Sequence, residues 1–349
     1  MVASTGKILY LAAMFHSMPP GKIDPVLLGS LLAKISPCDP RVQVGPQIGA
    51  DAAVIEVGNR LLVAASDPIT FTADDIGWYA VHVNANDIAV MGATPRWFLA
   101  TALLPEHKTT PRTIRRLFDN LTAALKPLHI SLVGGHTEIT PGLDRPILCG
   151  TMLGEATRKE LITPGQATPG DDILLVGYAA VEGTAIIART QRRRVARTLG
   201  SERTQRAVNF LKNPGISILS AATAIRGITG ITGLHDPTEG GIIGGVWEMA
   251  ESAGAGFLLN ADAVPVKTET CDICRLFEIN PLQLIASGAL LVTCKPRTTN
   301  SIIQKLRKQR KRISIIGRIT ERQEGFSLVH TGRRQPLRPP FPDVIGSVI

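Results

Sequence analysis

Aromatic side chains are scarce in this sequence. Phe, Trp and Tyr make up only 4% of its 349 residues, although 44% of the residues are hydrophobic. The core must therefore be built from Val, Ile, Leu and Ala, which suits layers of helices and sheets better than an aromatic-rich β-sandwich. This apolar content excludes general disorder, and the length favours two domains at roughly 100–200 residues each.

Long apolar runs are also missing. The longest candidate, residues 8–15, is much shorter than the about 20 residues that cross a bilayer, and two prolines soon follow it. No clear small-x-small cleavage site comes after this run, so a secretion signal is not expected. Translation could begin equally well at Met1 or at Met18. With either start, we predict a cytoplasmic protein without a membrane segment.

Cysteines are few, odd in number and scattered, which argues against a disulfide framework. Only Cys271 and Cys274 have the spacing of metal ligands. A structural zinc site would need a second such pair, and the sequence has none. We therefore interpret these two residues as ordinary helix cysteines.

The first half of the chain has no excess of either charge. Residues 1–170 carry 14 basic and 14 acidic side chains, whereas residues 171–349 carry 24 and 15. The excess is concentrated in residues 189–197, 305–312 and 333–334. These segments lack the interleaved aromatic residues that stack on bases, so solvated helix faces are favoured over nucleic-acid binding.

Strand and helix patterns are mixed along the whole chain. Predicted strands are 52–57, 61–65, 97–104, 130–133, 146–154, 173–177, 256–260, 289–293 and 314–319, and predicted helices are 74–91, 111–128, 182–189, 216–225, 240–253 and 299–308. The turn-rich stretch 163–172 is the candidate domain boundary. Because strands and helices do not alternate strictly, a split α+β arrangement competes with a doubly wound sheet.

Three aspartates stand where apolar elements begin or end. Asp51 follows a glycine-rich loop, and Asp67 comes after the next predicted strand, so the two would lie side by side if these strands form a hairpin. Asp87 lies in a helical pattern that puts it on the same face as Asn84. A carboxylate among apolar neighbours is costly to bury unless it is paired or binds a metal. An internal cap or salt bridge is the alternative for Asp87.

Two further motifs combine acidic residues with glycine pairs. In residues 133–138, a strand is predicted to end at Gly134 and Gly135, and an extended chain would put His136 and Glu138 on one side. In residues 235–241, Asp236 is predicted to be the N-cap of a helix, with a glutamate three residues later as in a capping box. Two glycines follow inside that helix, which implies that a ligand or a neighbouring backbone comes very close.

Several carboxylates without a zinc-like set of His and Cys favour Mg²⁺, which prefers oxygen ligands and bridges nucleotide phosphates. The sequence contains no Walker-type phosphate loop and no strand followed by the dinucleotide fingerprint Gly-x-Gly-x-x-Gly. An aspartate-held magnesium nucleotide therefore remains the favoured ligand.

The motifs follow, in order, the pattern of the aminoimidazole ribonucleotide (AIR) synthetase superfamily. They are Gly49-Ala-Asp51, Ser66-Asp67, Asn84 to Ala93, Gly134 to Gly142, Asp236 to Gly241 and Ala286-Ser-Gly288. The match covers roughly residues 40 to 320. Within the superfamily the sequence resembles AIR-synthetase-related proteins and the hydrogenase-maturation dehydratase HypE, with selenophosphate synthetase and thiamine-monophosphate kinase more distant.

The resemblance implies an α+β fold with an amino-terminal extension (1–40), an ATP-binding and dimerisation domain (41–160) and a carboxyl-terminal α/β domain (171–335). It further implies a homodimer whose amino-terminal domains share a β-barrel. ATP and Mg²⁺ would lie between the domains. The implied metal ligands are Asp51, Asp67, Asp87 and Glu138, the implied nucleotide contacts are Gly49, Asn84, Gly134, Gly135, Thr137, Asp236, Thr238 and Gly240, and the candidate catalytic residues are His136 and Glu239.

The implied chemistry is phosphorylation of an amide or similar oxygen, on a small molecule or a partner protein, followed by loss of that oxygen as phosphate. A kinase that leaves the phosphoryl group on its product and a non-catalytic maturation scaffold are the alternatives. HypE acts on a cysteine at its own carboxyl terminus, whereas this sequence ends with residues 342–349, which contain none. His136 stands where relatives carry an acidic residue, and it could be a general base or a phosphate hydrogen-bond donor.

Overall fold

The computed structural model describes residues 21–35, 37–70 and 74–349. Both predicted start positions, Met1 and Met18, lie outside these residues. The strands and helices of the first half are α1 (Pro25–Leu32), β1 (Val42–Val44), β2 (Ala53–Val57), β3 (Arg60–Ile69), α2 (Ile76–Val90), β4 (Thr94–Pro105), α3 (Pro111–Leu128), β5 (Ser131–Thr140) and β6 (Ile147–Ala156).

The second half contains seven strands and seven helices of its own. They are β7 (Asp172–Val176), α4 (Val181–Thr190), α5 (Arg192–Leu199), α6 (Ser201–Val208), α7 (Leu219–Ile225), β8 (Ile231–His235), α8 (Gly241–Ser252), β9 (Gly256–Asn260), α9 (Thr268–Phe277), β10 (Leu290–Cys294), α10 (Pro296–Lys308), β11 (Ile313–Thr320), β12 (Phe326–His330) and β13 (Arg333–Leu337). The predicted cysteine helix is confirmed as α9, with Cys274 buried and Cys271 exposed.

The first sheet has the strand order β1-β2-β3-β6-β4-β5. All its pairs are antiparallel except β4 with β5. The predicted hairpin is confirmed, because β2 pairs with β3 across a two-residue loop at Gly58 and Asn59. Within the described residues this sheet is open, with β1 and β5 at its edges, so one chain does not form the barrel that the resemblance implies.

The second sheet has the strand order β13-β12-β9-β11-β7-β10-β8. It is antiparallel except where β9 meets β12. A doubly wound sheet would be mostly parallel, so that alternative is wrong and the mixed α+β alternative is confirmed. In the part of the chain that is described, no helix is long and apolar enough to span a membrane.

Helix α2 lies at the centre of the molecule. Every residue in it except Trp78 is buried, including the polar residues His82, Asn84, Asn86 and Asp87. It packs on β3 and β6 of the first sheet, and on α7 and β8 of the second half. Polar residues of α2 are therefore held between the two halves.

Asn86 joins the two halves directly. Its side-chain amide donates to the Ile216 carbonyl oxygen at 2.9 Å and accepts from the Ile218 backbone N–H at 3.0 Å. Arg226 makes a second connection by donating to the Thr94 hydroxyl at 2.7 Å. The Asn86 bonds fix the loop before α7 against α2, and the Arg226 bond fixes the end of α7 against the start of β4.

Candidate functional site

Asp51 and Asp67 are brought together by the β2–β3 hairpin. Asp51 lies two residues before β2, and the pairing of Ala53 with Ala64 places it near the level of Ser66. The prediction that Asp67 follows the end of its strand is wrong, because β3 continues through Asp67 to Ile69. The charge of Asp51 nevertheless acts on the Asp67 carboxyl group.

Asn84 holds the backbone at Asp67. Its side-chain oxygen accepts from the Asp67 N–H at 2.9 Å, and its nitrogen donates to the Asp67 carbonyl oxygen at 3.2 Å and to the Ala80 carbonyl oxygen at 2.9 Å. The geometry therefore gives Asn84 a structural role next to Asp67. Since Asp87 lies almost one turn further along α2, its carboxyl group meets that of Asp67, and a hydrogen bond joins them.

Asp236 reaches the same place from the second half. It directly follows β8 and is only 1% exposed. Among the described residues, both of its carboxylate oxygens and Oδ2 of Asp87 are buried and have no partner at hydrogen-bond geometry. The Asn86 amide lies close enough to lower the pKa of Asp236, but its N–H donates to the Ile216 carbonyl oxygen. Buried polar atoms without partners are rare in folded proteins and point to a ligand. Asp51, Asp67, Asp87 and Asp236 are called the carboxylate cluster from here on.

The cluster has an unusual electrostatic state. Burial raises the pKa of Asp87 well above its usual range, and the neighbouring charges of Asp67, Asp236 and Asp51 raise it further. Burial and the charge of Asp51 also raise the pKa of Asp236. The pKa of Asp67 is raised by burial despite its hydrogen bond with Asp87. Within the described residues, Lys22 and His235 offset these negative charges only in part, since the pKa values stay raised, and a bound cation would offset the rest.

The donor set fits magnesium. The cluster offers carboxylate oxygens, the ligands that Mg²⁺ prefers, and its orphaned atoms lie on Asp87 and Asp236. Asp51, His235 and Asp236 each place one potential ligand atom within 4.8 Å of the others. The charges of Asp51, Asp67, Asp87 and Asp236 also act on one another, and these four residues would hold the metal.

The motif around Glu239 differs from the prediction. Helix α8 begins at Gly241 with Gly240 as its N-cap, so Asp236 is not the N-cap and the predicted capping box is wrong. Asp343 accepts a hydrogen bond from the Gly240 N–H at 2.9 Å instead. A Cβ atom at Gly241 would lie 2.7 Å from the Leu282 carbonyl oxygen, so this glycine is explained by a neighbouring backbone. Half-buried Thr238 lies in the turn between β8 and α8.

Gly49 also packs against protein rather than facing open space. Its φ is +78°, and a Cβ atom there would lie 3.0 Å from the Glu248 carbonyl oxygen and 3.1 Å from Cβ of Ser252. The loop that carries Asp51 is therefore seated on α8.

The segment Gly134 to Glu138 lies apart from the carboxylate cluster. The predicted end of the strand at the two glycines is wrong, because β5 runs through them. Gly135 pairs with Ala100, Ala100 with Gly150, and Gly150 with Asp67, so Gly135 and Asp67 share a row three strands apart, or about 14 Å at the usual spacing.

The side chains of β5 face solvent. The predicted common side for His136 and Glu138 is confirmed by a contact of 3.2 Å between Nε2 and Oε2. Thr140 donates to Glu138 as well, and these hydrogen bonds lower the pKa of Glu138. Gly135 has a φ of +140°, and a Cβ atom there would lie 2.0 Å from the Ala100 carbonyl oxygen, so it is needed for the pairing with β4. Thr137 is exposed.

Three residues of the site were missed by sequence reasoning. His235 lies between Asp51 and Glu248, and Lys22 binds Glu248 at 3.2 Å. A histidine next to Asp236 at the end of an apolar strand was the available signal for His235. Glu248 and Lys22 carry no local signal in the sequence. They meet only because α8 packs against the segment before α1.

Glu182 at the start of α4 was missed as well. It is 4% exposed, and its Oε2 atom has no partner among the described residues. Burial raises the pKa of Glu182 to about 7; a hydrogen bond from Ser287 opposes this rise, and the charges of Glu239 and Asp343 add to it. The charge of Glu239 raises the pKa of Asp67 as well as that of Glu182.

Together, the fold and the site define a two-part α+β protein with a buried carboxylate site of the magnesium type. Two family models match the chain, the N-terminal domain of AIR synthase related proteins over residues 49–156 and the C-terminal domain over residues 168–330. The chain therefore belongs to the AIR synthase related family.

Named relatives come from hydrogenase maturation. The chain is 26% identical over 290 residues to the carbamoyl dehydratase HypE of Azotobacter vinelandii, covering 80% of this chain and 82% of that protein. It is 27% identical over 307 residues to a Methanocaldococcus jannaschii protein whose name assigns it to hydrogenase expression and formation, covering 84% and 88%.

Solved structures share the fold. HypE in complex with ATP superposes with a TM-score of 0.70 at 22% identity, covering 89% of this chain and 92% of that one. A HypE–HypF complex gives 0.69 at 19% identity, covering 84% and 94%. A ThiL protein complexed with AMPPCP and TMP gives 0.71 at 18% identity, covering 93% and 97%.

Proposed function

We propose that this protein is an ATP-dependent enzyme of the HypE type that activates an amide oxygen of its substrate by phosphorylation. The observation that carries the proposal is the convergence of Asp51, Asp67, Asp87 and Asp236 on one buried site with orphaned oxygen atoms. Membership in the AIR synthase related family and the similarity to a carbamoyl dehydratase support it.

The proposed reaction has two steps. The amide oxygen attacks the γ-phosphorus of ATP and ADP leaves; the carbon–oxygen bond then breaks, phosphate leaves with the oxygen, and the amide nitrogen gives up two protons as a carbon–nitrogen triple bond forms. Asp51, Asp67, Asp87 and Asp236 would hold Mg²⁺, and through that cation they would orient the nucleotide phosphates. When bound, Mg²⁺ offsets the negative charge that develops on the phosphoryl group. Glu239, half-buried beside the cluster, is placed to accept a proton.

We also propose that the chain acts as a cytoplasmic homodimer that pairs along β5. This edge strand exposes Leu132, Val133 and Ile139 at 43%, 53% and 49%. An unpaired edge with exposed apolar side chains is a surface for pairing with another strand. Two sheets joined in this way would form the shared barrel, and the predicted nucleotide contacts at Gly134, Gly135 and Thr137 would lie at the junction.

ADP release with Mg²⁺ tests the proposal. Purified protein would be screened against small amides and carbamoylated partner proteins, since the acceptor is a small molecule or a protein-bound amide. We expect Asp87→Asn to reduce turnover at least 100-fold while keeping its fold, because the amide mimics a carboxyl group whose pKa is already raised. Asp119→Asn, on the exposed face of α3, is the matched control. Full turnover in Asp87→Asn would refute the proposal.

The fold similarity to ThiL supports one alternative, a small-molecule kinase. In a kinase the phosphoryl group stays on the product, whereas the proposed dehydratase releases one inorganic phosphate for each ADP. Measuring phosphate alongside ADP separates the two: a ratio near one supports the dehydratase, and a stable phosphorylated product supports the kinase.

A further inference from the structure

His235 lies buried between two carboxylates. Its Nδ1 atom is 2.9 Å from Oδ2 of Asp51, and its Nε2 atom is 2.9 Å from Oε2 of Glu248. A neutral imidazole has one N–H and can donate to only one of them, whereas an imidazolium donates to both. Both nitrogens of His235 are therefore occupied by hydrogen bonds, and neither is free to bind a metal.

The chain of contacts continues beyond His235. Lys22 donates to Oε1 of Glu248 at 3.2 Å and lies 3.9 Å from Glu239. Although the Lys22 side chain is 49% exposed, Glu248 is only 17% exposed. Positive and negative groups thus alternate from Lys22 through Glu248 and His235 to Asp51, over segments that are far apart in the sequence.

The backbone supports the same arrangement. As described above, Gly49 seats the Asp51 loop directly on Glu248 and Ser252 of α8. Asp51 therefore has little freedom to move relative to α8, and His235 fixes the direction of its carboxylate.

We propose that His235 is a positioning residue for the metal site: it holds one oxygen of Asp51, leaves the other to the cation, and is itself held by Glu248 and Lys22. This inference rests on the proposed function, because it takes Asp51 as a ligand of Mg²⁺. Hydrogen bonds of this kind to a ligand fix its orientation, and their loss typically weakens metal binding by 10- to 100-fold.

Binding of Mn²⁺, a paramagnetic probe for the magnesium site, tests the inference on the full chain with AMPPCP present. Titration followed by electron paramagnetic resonance should show at least tenfold weaker binding by His235→Asn. His330→Asn is the matched control, because it breaks an exposed contact of 2.8 Å with Asp262, and it should change the affinity less than twofold. Glu248→Gln retains the His235–Asp51 contact and should weaken binding about threefold.

The outcomes separate the inference from the proposed function. Unchanged affinity in a folded His235→Asn protein, checked by circular dichroism, overturns the inference; if that variant does not fold, unchanged affinity in Glu248→Gln does so. A hyperfine coupling between Mn²⁺ and ¹⁵N-labelled histidine in the wild type would show that His235 is a ligand and also overturns it. Absence of Mn²⁺ binding by the wild type overturns the metal site of the proposed function itself.

Discussion

Acidic residues occur in two contrasting settings in this protein. In the carboxylate cluster, Asp87 and Asp236 are buried, have orphaned oxygens and have pKa values raised by burial. On β5, Glu138 is exposed, accepts hydrogen bonds from His136 and Thr140, and has a pKa lowered by them. Both settings looked alike in the sequence, as acidic residues near strand ends and glycines.

The contrast shows what marks a binding site. A carboxylate that its own neighbours satisfy in solvent gains little from a further ligand. A buried carboxylate without a partner is costly to the fold, and a cation offsets that cost. Burial combined with missing partners therefore identifies the cluster as a binding site, whereas acidity alone does not.

The largest effect on turnover is expected when a substitution in the carboxylate cluster is compared with one on β5. Asp236→Asn should lower ADP release at least 100-fold, about 3 kcal/mol, because it removes a buried charge that faces the cation. Glu138→Gln should lower it less than tenfold. Steady-state turnover with Mg²⁺ measures both. If both variants lose turnover equally, Glu138 on β5 acts at a carboxylate cluster. That cluster would belong to the same chain or to the partner in a dimer.

The second-largest effect concerns the free energy of unfolding, which depends on pH through the buried acid Glu182. Because the pKa of Glu182 rises from 4.5 to about 7 on folding, the unfolded chain loses this proton first as pH increases. The stability that protonated Glu182 contributes is therefore complete below pH 4.5 and falls by about 2 kcal/mol between pH 5 and pH 7.

Urea unfolding at these two pH values checks this expectation. Glu182→Gln should reduce the decline in the free energy of unfolding by that amount, and exposed Glu106→Gln should leave it as in the wild type. A decline that is equally steep in Glu182→Gln would show that Glu182 does not titrate in this range.

The smallest effect concerns the solvent-facing edge. Val133→Lys adds a charge to β5 and should raise the dissociation constant of the proposed dimer at least tenfold, about 1.4 kcal/mol. Val57→Lys is the matched control, because Val57 is 50% exposed at the end of β2. Sedimentation velocity measures self-association. A wild-type chain that is monomeric at high concentration would refute the dimer.

Local patterns predicted the main elements of the fold well. The β2–β3 hairpin and helices α2, α3 and α8 were expected from apolar periodicity close to their observed bounds. The amphipathic helices α5 and α6 were missed, because charged and polar residues outnumber apolar ones in both sequences. The open, largely antiparallel sheets depend on contacts between distant strands, which periodicity does not report.

The site was predictable to the extent that each residue carried its own signal. Asp51, Asp67 and Asp236 stood near the ends of apolar segments and Asp87 inside an apolar helical pattern, and the structure brings the four together. Glu248 became recognisable only through its contact with His235, whose own contact with Asp51 spans 184 residues. The capping prediction for Asp236 failed because a distant residue, Asp343, binds the N-terminus of α8.

Helix α2 sets limits on how the two halves can move. Within a single turn of α2, the Asn84 side chain hydrogen-bonds the backbone of β3 and the Asn86 side chain hydrogen-bonds the backbone of the loop before α7. Asp87, in the same turn, lies in the carboxylate cluster. Separating the halves at this point would break both side-chain hydrogen bonds of Asn86. A relative motion of the two halves that keeps these hydrogen bonds must therefore pivot close to Asn86.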